Sequence, residues 1–393
     1  MNVNITLLNL ENYAQIEYEM QRIGCDSRGI QIMKPKAIFK IIRVENIRCK
    51  AANLLKQTFL SNGAEVAIAK GAADLSCEYT DALIIATLKQ YKMAIPKLKM
   101  QPWGLPDLAK RLESVLTDEG VVPSRKYCWN DRKLEINDKK SLVMGILNLE
   151  QENYQLTNIT EQIQSMQEKG VDVIEVISPS FVNEDSEVDK IKKELALLEK
   201  IIFRSKIPLS ISTYHAKIAE AALTLGIHMI HDLGGLQYDD EMPSVLAKYD
   251  TPVIIKYNHE NLSFNQVMKD IRVFLQKSIS IGIGKGIKSE NMIIDPGLVP
   301  DQKFVSYVHL ISHMEQLKTL GCPIVLNILS KKDIGKVLNL PVATCGEEIA
   351  TLVTLAKMKG IQIYRVHEIE EVKRTLKFLD IIARSEEDDK DFN

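Results

Sequence analysis

From Ser141 onward one pattern recurs eight times: a short β-rich apolar run, then a helical stretch. The runs are Leu142–Leu149, Val171–Ile177, Pro208–Thr213, Ile227–Leu233, Pro252–Asn258, Asn291–Gly297, Pro323–Leu329 and Ile361–His367. Their interiors are nearly continuous Val, Ile and Leu, as parallel strands buried on both faces require. Between them, 3.6-residue periodicity predicts helices. Asn158-Ile-Thr-Glu161 opens one like a capping box, and that helix ends near Gly170. Others are expected at Glu187–Arg204, Ala216–Leu225, Glu241–Tyr249, Phe264–Ile281, Phe304–Leu320, Glu347–Lys359 and Glu370–Arg384. Eight β/α units in about 245 residues match a TIM barrel. A doubly wound open sheet is the rival, but it usually needs fewer strands and, to bind a dinucleotide, a glycine-rich first turn. Here the first run continues as Asn148-Leu-Glu-Gln-Glu-Asn-Tyr154, without such glycines. The expected fold is α/β: a (β/α)8 barrel over residues 124–385 with a smaller N-terminal α/β domain over 1–120.

The flanking segments read differently. Arg125 to Ile136 forms a hairpin pattern with Asn130-Asp131 in the turn, placed to plug the bottom of the barrel. In the first 120 residues, strands are expected at Asn4–Leu8, Ala37–Val44, Glu65–Ala69 and Asp81–Ala86. Helices are expected there at Tyr13–Arg22, Ile47–Ser61 and Leu105–Leu116. That region holds none of the seven histidines and no motif tied to chemistry, so it reads as an appended domain for stability, assembly or regulation. Residues 386–393 form an acidic tail.

Charge and cysteine usage exclude several classes of partner. Fifty Lys+Arg against 52 Asp+Glu leave a formal charge of -2, so no bulk field favours nucleic acid or anionic lipid. The apolar runs are under half the length needed to cross a bilayer, so no membrane association is expected. Six scattered cysteines without a CxxC pair fit reduced thiols in a cytoplasmic protein and imply no metal cluster.

In a TIM barrel the site lies at the C-terminal ends of the strands. Those positions form a polar ring: Asn148, Ser178 with Ser180, Ser212 with Thr213, His231 with Asp232, Asn258, Asp295, Lys331, and Arg365 with His367. Asp295-Pro-Gly297 sets a carboxylate before a rigid turn. Arg365 and His367, two residues apart, share one strand face and together suit phosphate oxygens, with Lys331 adding a point charge. The ring suits an anionic substrate whose other end needs a carboxylate acceptor. His309 and His313, four apart on a predicted helix, lie outside this ring and read as surface histidines. His215 and His228 read as structural, and His259 has no assigned role.

The same residues carry a family resemblance. Val143-Met-Gly-Ile-Leu-Asn148, Ser210-Ile-Ser-Thr-Tyr214, Ile230-His-Asp-Leu-Gly-Gly235, Ile294-Asp-Pro-Gly297, Gly321-Cys-Pro-Ile-Val through Lys331 to Gly335, and Tyr364-Arg-Val-His367 resemble dihydropteroate synthases, in order and spacing. The resemblance spans about 126–385. It implies condensation of a dihydropterin methyl diphosphate with p-aminobenzoate, releasing pyrophosphate with Mg²⁺ assistance, in folate biosynthesis. Under it, Asp295 accepts hydrogen bonds from the pterin and Lys331 contacts the pterin beside the second substrate. Asn148, Arg365 and His367 form the diphosphate pocket, Asn148 serving as the metal ligand. Lys331, Arg365 and His367 are then the catalytic candidates, and Ser212 and His231 complete the substrate-binding set. A homodimer is among the assemblies the resemblance allows.

Several positions depart from the family pattern. Its third-strand Val-Asp-Thr is Ile211-Ser212-Thr213 here, which replaces a pterin-binding aspartate, and its fourth-strand Asn-Asp is His231-Asp232. The second loop reads Ile177-Ser-Pro-Ser-Phe-Val-Asn-Glu184 in place of Gly-Gly-Glu-Ser-Thr-Arg-Pro-Gly, without its threonine and arginine. The first loop is Glu150-Gln-Glu-Asn-Tyr154, and Leu298 to Gln302 replace a Phe-Gly-Lys continuation. Two alternatives therefore stay open beside the synthase: a catalytically silent pterin-binding paralogue, and a methyltransferase acting on a tetrahydropterin.

Overall fold

Alternating inward and outward residues along eight short strands dictate the main architecture, seen here in a computed structural model. The structure describes residues 3–8, 10, 13–117, 124–129, 132–137, 140–149, 156–183, 188–258, 267–297 and 304–388. The chain divides into two compact units, Met1–Glu119 and Gly120–Asn393.

In the first unit, β1 (Phe39–Arg48), β2 (Glu65–Ile68) and β3 (Tyr79–Thr87) form an antiparallel sheet of order β1-β3-β2. Leu55, Phe59, Ile84, Tyr91 and Leu98 make its core. Two helices longer than a single turn escape the periodicity reading, Ser27–Ala37 and Leu88–Leu98, each carrying an internal proline. Their starts are fixed by side-chain caps: Asp26 accepts from Gly29 N, and Thr87 with Gln90 forms a capping box. The strand expected at Asn4–Leu8 is not formed. Ile5 and Leu7 are 93% and 98% exposed, so their alternation meets no partner face.

The second unit opens with the hairpin β4 (Arg125–Trp129) and β5 (Arg132–Ile136), with its turn residues Asn130 and Asp131 outside the described residues. Eight parallel strands follow: β6 (Leu142–Asn148), β7 (Val173–Ile177), β8 (Leu209–Thr213), β9 (Met229–Asp232), β10 (Val253–Lys256), β11 (Met292–Asp295), β12 (Val325–Asn327) and β13 (Ile363–Val366). Their order is β11-β10-β9-β8-β7-β6-β13-β12, and a single bridge between Ile294 and Ile324 closes the circle. This is the (β/α)8 barrel that the eightfold repeat requires. The expected helices form with ends shifted by a few residues, such as Val188–Arg204 and Val267–Gly284. The stretch expected as one helix to Leu320 is an α-helix to Ser312 followed by 3₁₀ turns. Among the described residues, no helix is long and apolar enough to cross a membrane.

The hairpin forms the barrel floor. Tyr127, Leu134 and Ile136 pack in one cluster with the inward residues Leu142, Met144, Val173, Met229, Ile254, Ile293, Val325 and Ile363. Arg125 donates to Ser289 O and Gly321 O at 2.7 and 3.0 Å, and Tyr127 Oη donates to Glu290 O at 2.5 Å. These carbonyls lie just before β11 and β12, so the hairpin satisfies acceptors at the strand starts. Ile136 is fully buried. We expect Ile136→Ala to cost about 2–5 kcal/mol, from lost burial plus the cavity left behind, read as a lowered denaturant midpoint with an unchanged slope.

Candidate active site at the carboxyl mouth of the barrel

One strand period above that apolar floor, the inward positions turn polar. Stepping two residues from Val173, Met229, Ile254, Ile293, Val325 and Ile363 reaches Glu175, His231, Lys256, Asp295, Asn327 and Arg365. Ser212, near the end of β8, joins them. The result is a tier of alternating charges across the lumen, near the carboxyl ends of the strands.

Glu175 is its centre and is fully buried. Its Oε1 accepts from Ser212 Oγ at 2.7 Å and lies 2.5 Å from His231 Nδ1. Its Oε2 accepts from Arg365 Nε, and Arg365 Nη1 donates to Asn327 Oδ1 at 2.8 Å. On the other side of the imidazole, His231 Nε2 is 3.2 Å from Asp295 Oδ2. That distance allows charge pairing. Asp295 Oδ1 accepts from Gly297 N at 2.7 Å. Gly297 has φ +70°, and a Cβ there would fall 2.0 Å from Tyr257 O, so only glycine allows this turn behind the carboxylate.

Burial and pairing compete at each charge. Burial alone would push Glu175 up, but Arg365 and then His231 hold it well below the usual carboxylate range. Burial opposes the His231 imidazolium, yet Glu175 and then Asp295 raise its pKa overall. Asp295 is likewise raised by burial and lowered on balance by His231, Lys256 and Gly297 N. Burial dominates at Lys256, whose pKa is lowered despite Asp295, its register partner.

The expected ring is thus sorted by facing. Ser212, His231, Asp295 and Arg365 come together. Asn148 ends β6 half-buried, on the inward alternation of Leu142 and Met144. The companions on the other strand face brace loops. Asp232 accepts from Gly234 N and Leu236 N at 2.9 and 2.5 Å, with burial pushing its pKa up to about 6. Thr213 Oγ1 donates to Phe181 O at 2.6 Å, and Ser178 and Ser180 both donate to Glu194. Asn258 is exposed, and His259 lies outside the described residues.

One expectation is corrected. Arg365 and His367 do not share an inward face: β13 ends at Val366, Arg365 turns to Glu175, and His367 is exposed. Lys331, beyond β12, is the first residue of the helix Lys331–Leu338, which Ser330 and Asp333 open with a capping box. Its ammonium pairs with Glu371, which raises its pKa, and its N–H donates to Glu368 Oε1 at 3.0 Å. Residues missed from sequence are Glu175, Lys256 and Asn327. Their signal was a polar residue at an inward step of an otherwise apolar run.

The model of the pterin binding enzyme family matches residues 144–367, which hold the whole charged tier. A dihydropteroate synthase from Clostridium beijerinckii is 31% identical over 260 residues, covering 63% of this chain and 96% of that protein. The chain belongs to the dihydropteroate synthase family. A solved dihydropteroate synthase from Clostridium difficile, crystallised in the presence of pteroic acid, is also 31% identical. It aligns at a TM-score of 0.56, covering 63% of this chain and 98% of its own. A relative from Halobacterium salinarum named as a probable bifunctional folylpolyglutamate synthase/dihydropteroate synthase is 26% identical over 369 residues. That match covers 90% of this chain but 44% of the relative, so it extends into the N-terminal unit. Ser212 stands where the family pattern carries an aspartate, and Glu175 on the neighbouring strand accepts from its hydroxyl at 2.7 Å.

Proposed function

We propose that the chain condenses a dihydropterin methyl diphosphate with p-aminobenzoate and releases pyrophosphate. The observation that carries this reading is the charged tier, which sets carboxylates beside cations near the carboxyl ends of the barrel strands. Pteroic acid, present with the Clostridium difficile relative, is a pterin joined through a methylene to p-aminobenzoate, which supports the same pair of substrates here.

The reaction is substitution at a methylene. The amine nitrogen forms the new C–N bond as the C–O bond breaks, the electron pair leaves with pyrophosphate, and one proton leaves the nitrogen. In this reading Asp295 accepts from ring N–H groups, with Ser212 and His231 lining the same end. Arg365 and His367 serve the diphosphate, where growing negative charge rewards fixed cations. Lys331, paired with Glu371 in the free chain, contacts the pterin beside the second substrate. Among the described residues, no three His, Cys, Asp or Glu side chains gather as a metal site. Mg²⁺ nevertheless fits, because it keeps waters and substrate phosphate oxygens and needs few protein ligands. Asn148 would supply one amide oxygen, and the bound ion would withdraw charge from the leaving group.

The test is pyrophosphate release by purified protein with the dihydropterin diphosphate and Mg²⁺. We expect release that requires p-aminobenzoate and stops on chelation of the metal. Binding of the pterin diphosphate without release would instead make the chain a silent paralogue.

A further inference from the structure

Two thiols meet in the first unit. Cys49 Sγ lies 2.8 Å from Cys77 Sγ, a separation that a small shift of either side chain turns into a disulfide bond. The backbone sets them there. β1 and β3 run antiparallel as far as the pair Arg48 and Tyr79. Cys49 follows Arg48 as the first residue of the helix Cys49–Leu60, and its N–H donates to Glu78 O at 2.9 Å. Cys77 stands two residues before Tyr79, and its N–H donates to Gly71 O at 3.2 Å. Asn53 Nδ2 donates to Cys49 O and Ala72 O at 3.1 and 2.6 Å, bracing the helix against the connection from β2 to β3. Access to the two sulfurs is unequal. Cys49 is buried and Cys77 half-buried. Both line a cavity of about 410 Å³ together with Arg48, Leu75 and Trp103. Leu75 and Trp103 hold φ of +59° and +61°, a strained conformation that gathers where a chain is shaped for function.

We propose that Cys49 and Cys77 form a dithiol–disulfide site, oxidised by a low-molecular-weight disulfide that enters this cavity. The site lies within the first unit and is independent of the synthase reading. Cys77, the accessible thiol, attacks as its thiolate. Its sulfur bonds to one sulfur of the incoming disulfide, and the other departs as a thiolate. Burial, then contact with Cys77, pushes the Cys49 thiol up to about 11, so it keeps its hydrogen until Cys77 is capped. Cys49 then gives its proton to water, its sulfur attacks Cys77 Sγ, and the second small thiolate leaves. Two protein thiols are oxidised and one small disulfide is reduced to two thiols, with no other reactant. The new bond fastens the connection over residues 69–78 to the start of the helix.

The experiment exposes the folded full chain to excess oxidised glutathione, then alkylates the remaining thiols and maps the peptides without reduction. We expect a Cys49–Cys77 linkage that exceeds the Cys77–glutathione adduct by about tenfold or more, because the resolving thiol is already in contact. Dithiothreitol should reverse it. Cys49→Ser should stop at the glutathione adduct on Cys77, and Cys77→Ser should leave Cys49 reduced. Cys49→Ala is the second variant if a buried hydroxyl disturbs the fold, with circular dichroism as the check. Both cysteines alkylated after treatment of the folded wild type would overturn the inference. So would a glutathione adduct on Cys77 that persists in the wild type, or a linkage from either cysteine to a different thiol.

Discussion

Glu175→Gln is expected to cost about 3–5 kcal/mol of folding stability, the range seen when one member of a buried charge cluster is removed. The change leaves Arg365 and His231 facing an amide that cannot balance them, at a position with no solvent exposure. Its pH signature follows from the sign of the shift. The folded pKa of Glu175 is depressed, so its stabilisation is fully present above the unfolded value of about 4.3 and is lost as pH falls below that. Wild type should therefore lose stability steeply below about pH 5, whereas Glu175→Gln should lose less over the same interval. Equilibrium denaturation at several pH values checks both statements. Parallel curves for the two proteins would mean that Glu175 carries no charge linkage.

The largest expected effect on turnover is at Arg365. Arg365→Ala should lower kcat/KM by about a hundredfold or more, because a fixed guanidinium is lost from the anionic side of the site. Arg365→Lys should recover little of this. The guanidinium bonds Glu175 through Nε and Asn327 through Nη1 at once, and a single ammonium cannot span both. Lys331→Ala should behave differently. Its ammonium pairs with a partly exposed Glu371 on the last helix, so the variant should fold like wild type and lose turnover alone. Steady-state kinetics beside thermal melts separates the two cases, and equal turnover in wild type and both variants would move the chemistry elsewhere.

The barrel was legible because each strand is a nearly continuous apolar run and most of its helices have a clear period. Asp295 and Arg365 were legible because they sit at strand ends. Glu175 was not, because it lies inside Val-Ile-Glu-Val-Ile, where the surrounding residues announce a core strand and the carboxylate looks like an interruption. Lys256 was masked in the same way, and attention passed to Asn258 beyond it. Counting by twos from the apolar floor would have found both, since the inward face is set by the pleat and not by distance from the strand end. Lys331 was legible as a cation after the seventh strand, but the helix that starts there was not, although Ser330-Lys-Lys-Asp333 encodes its capping box. The short helices of the first unit went unseen because Pro35 and Pro96 argue locally against them, and packing overrides that preference.

The circle of strands is not equally strong all round. Seven neighbouring pairs share at least three registered residue pairs each, whereas β11 and β12 meet only at Ile294 and Ile324. Asp295 and Asn327 stand at the ends of the two strands that flank this seam. Breathing of the wall there gives up the fewest ladder bonds. The wall is thus least tightly laddered between the two strands that carry Asp295 and Asn327.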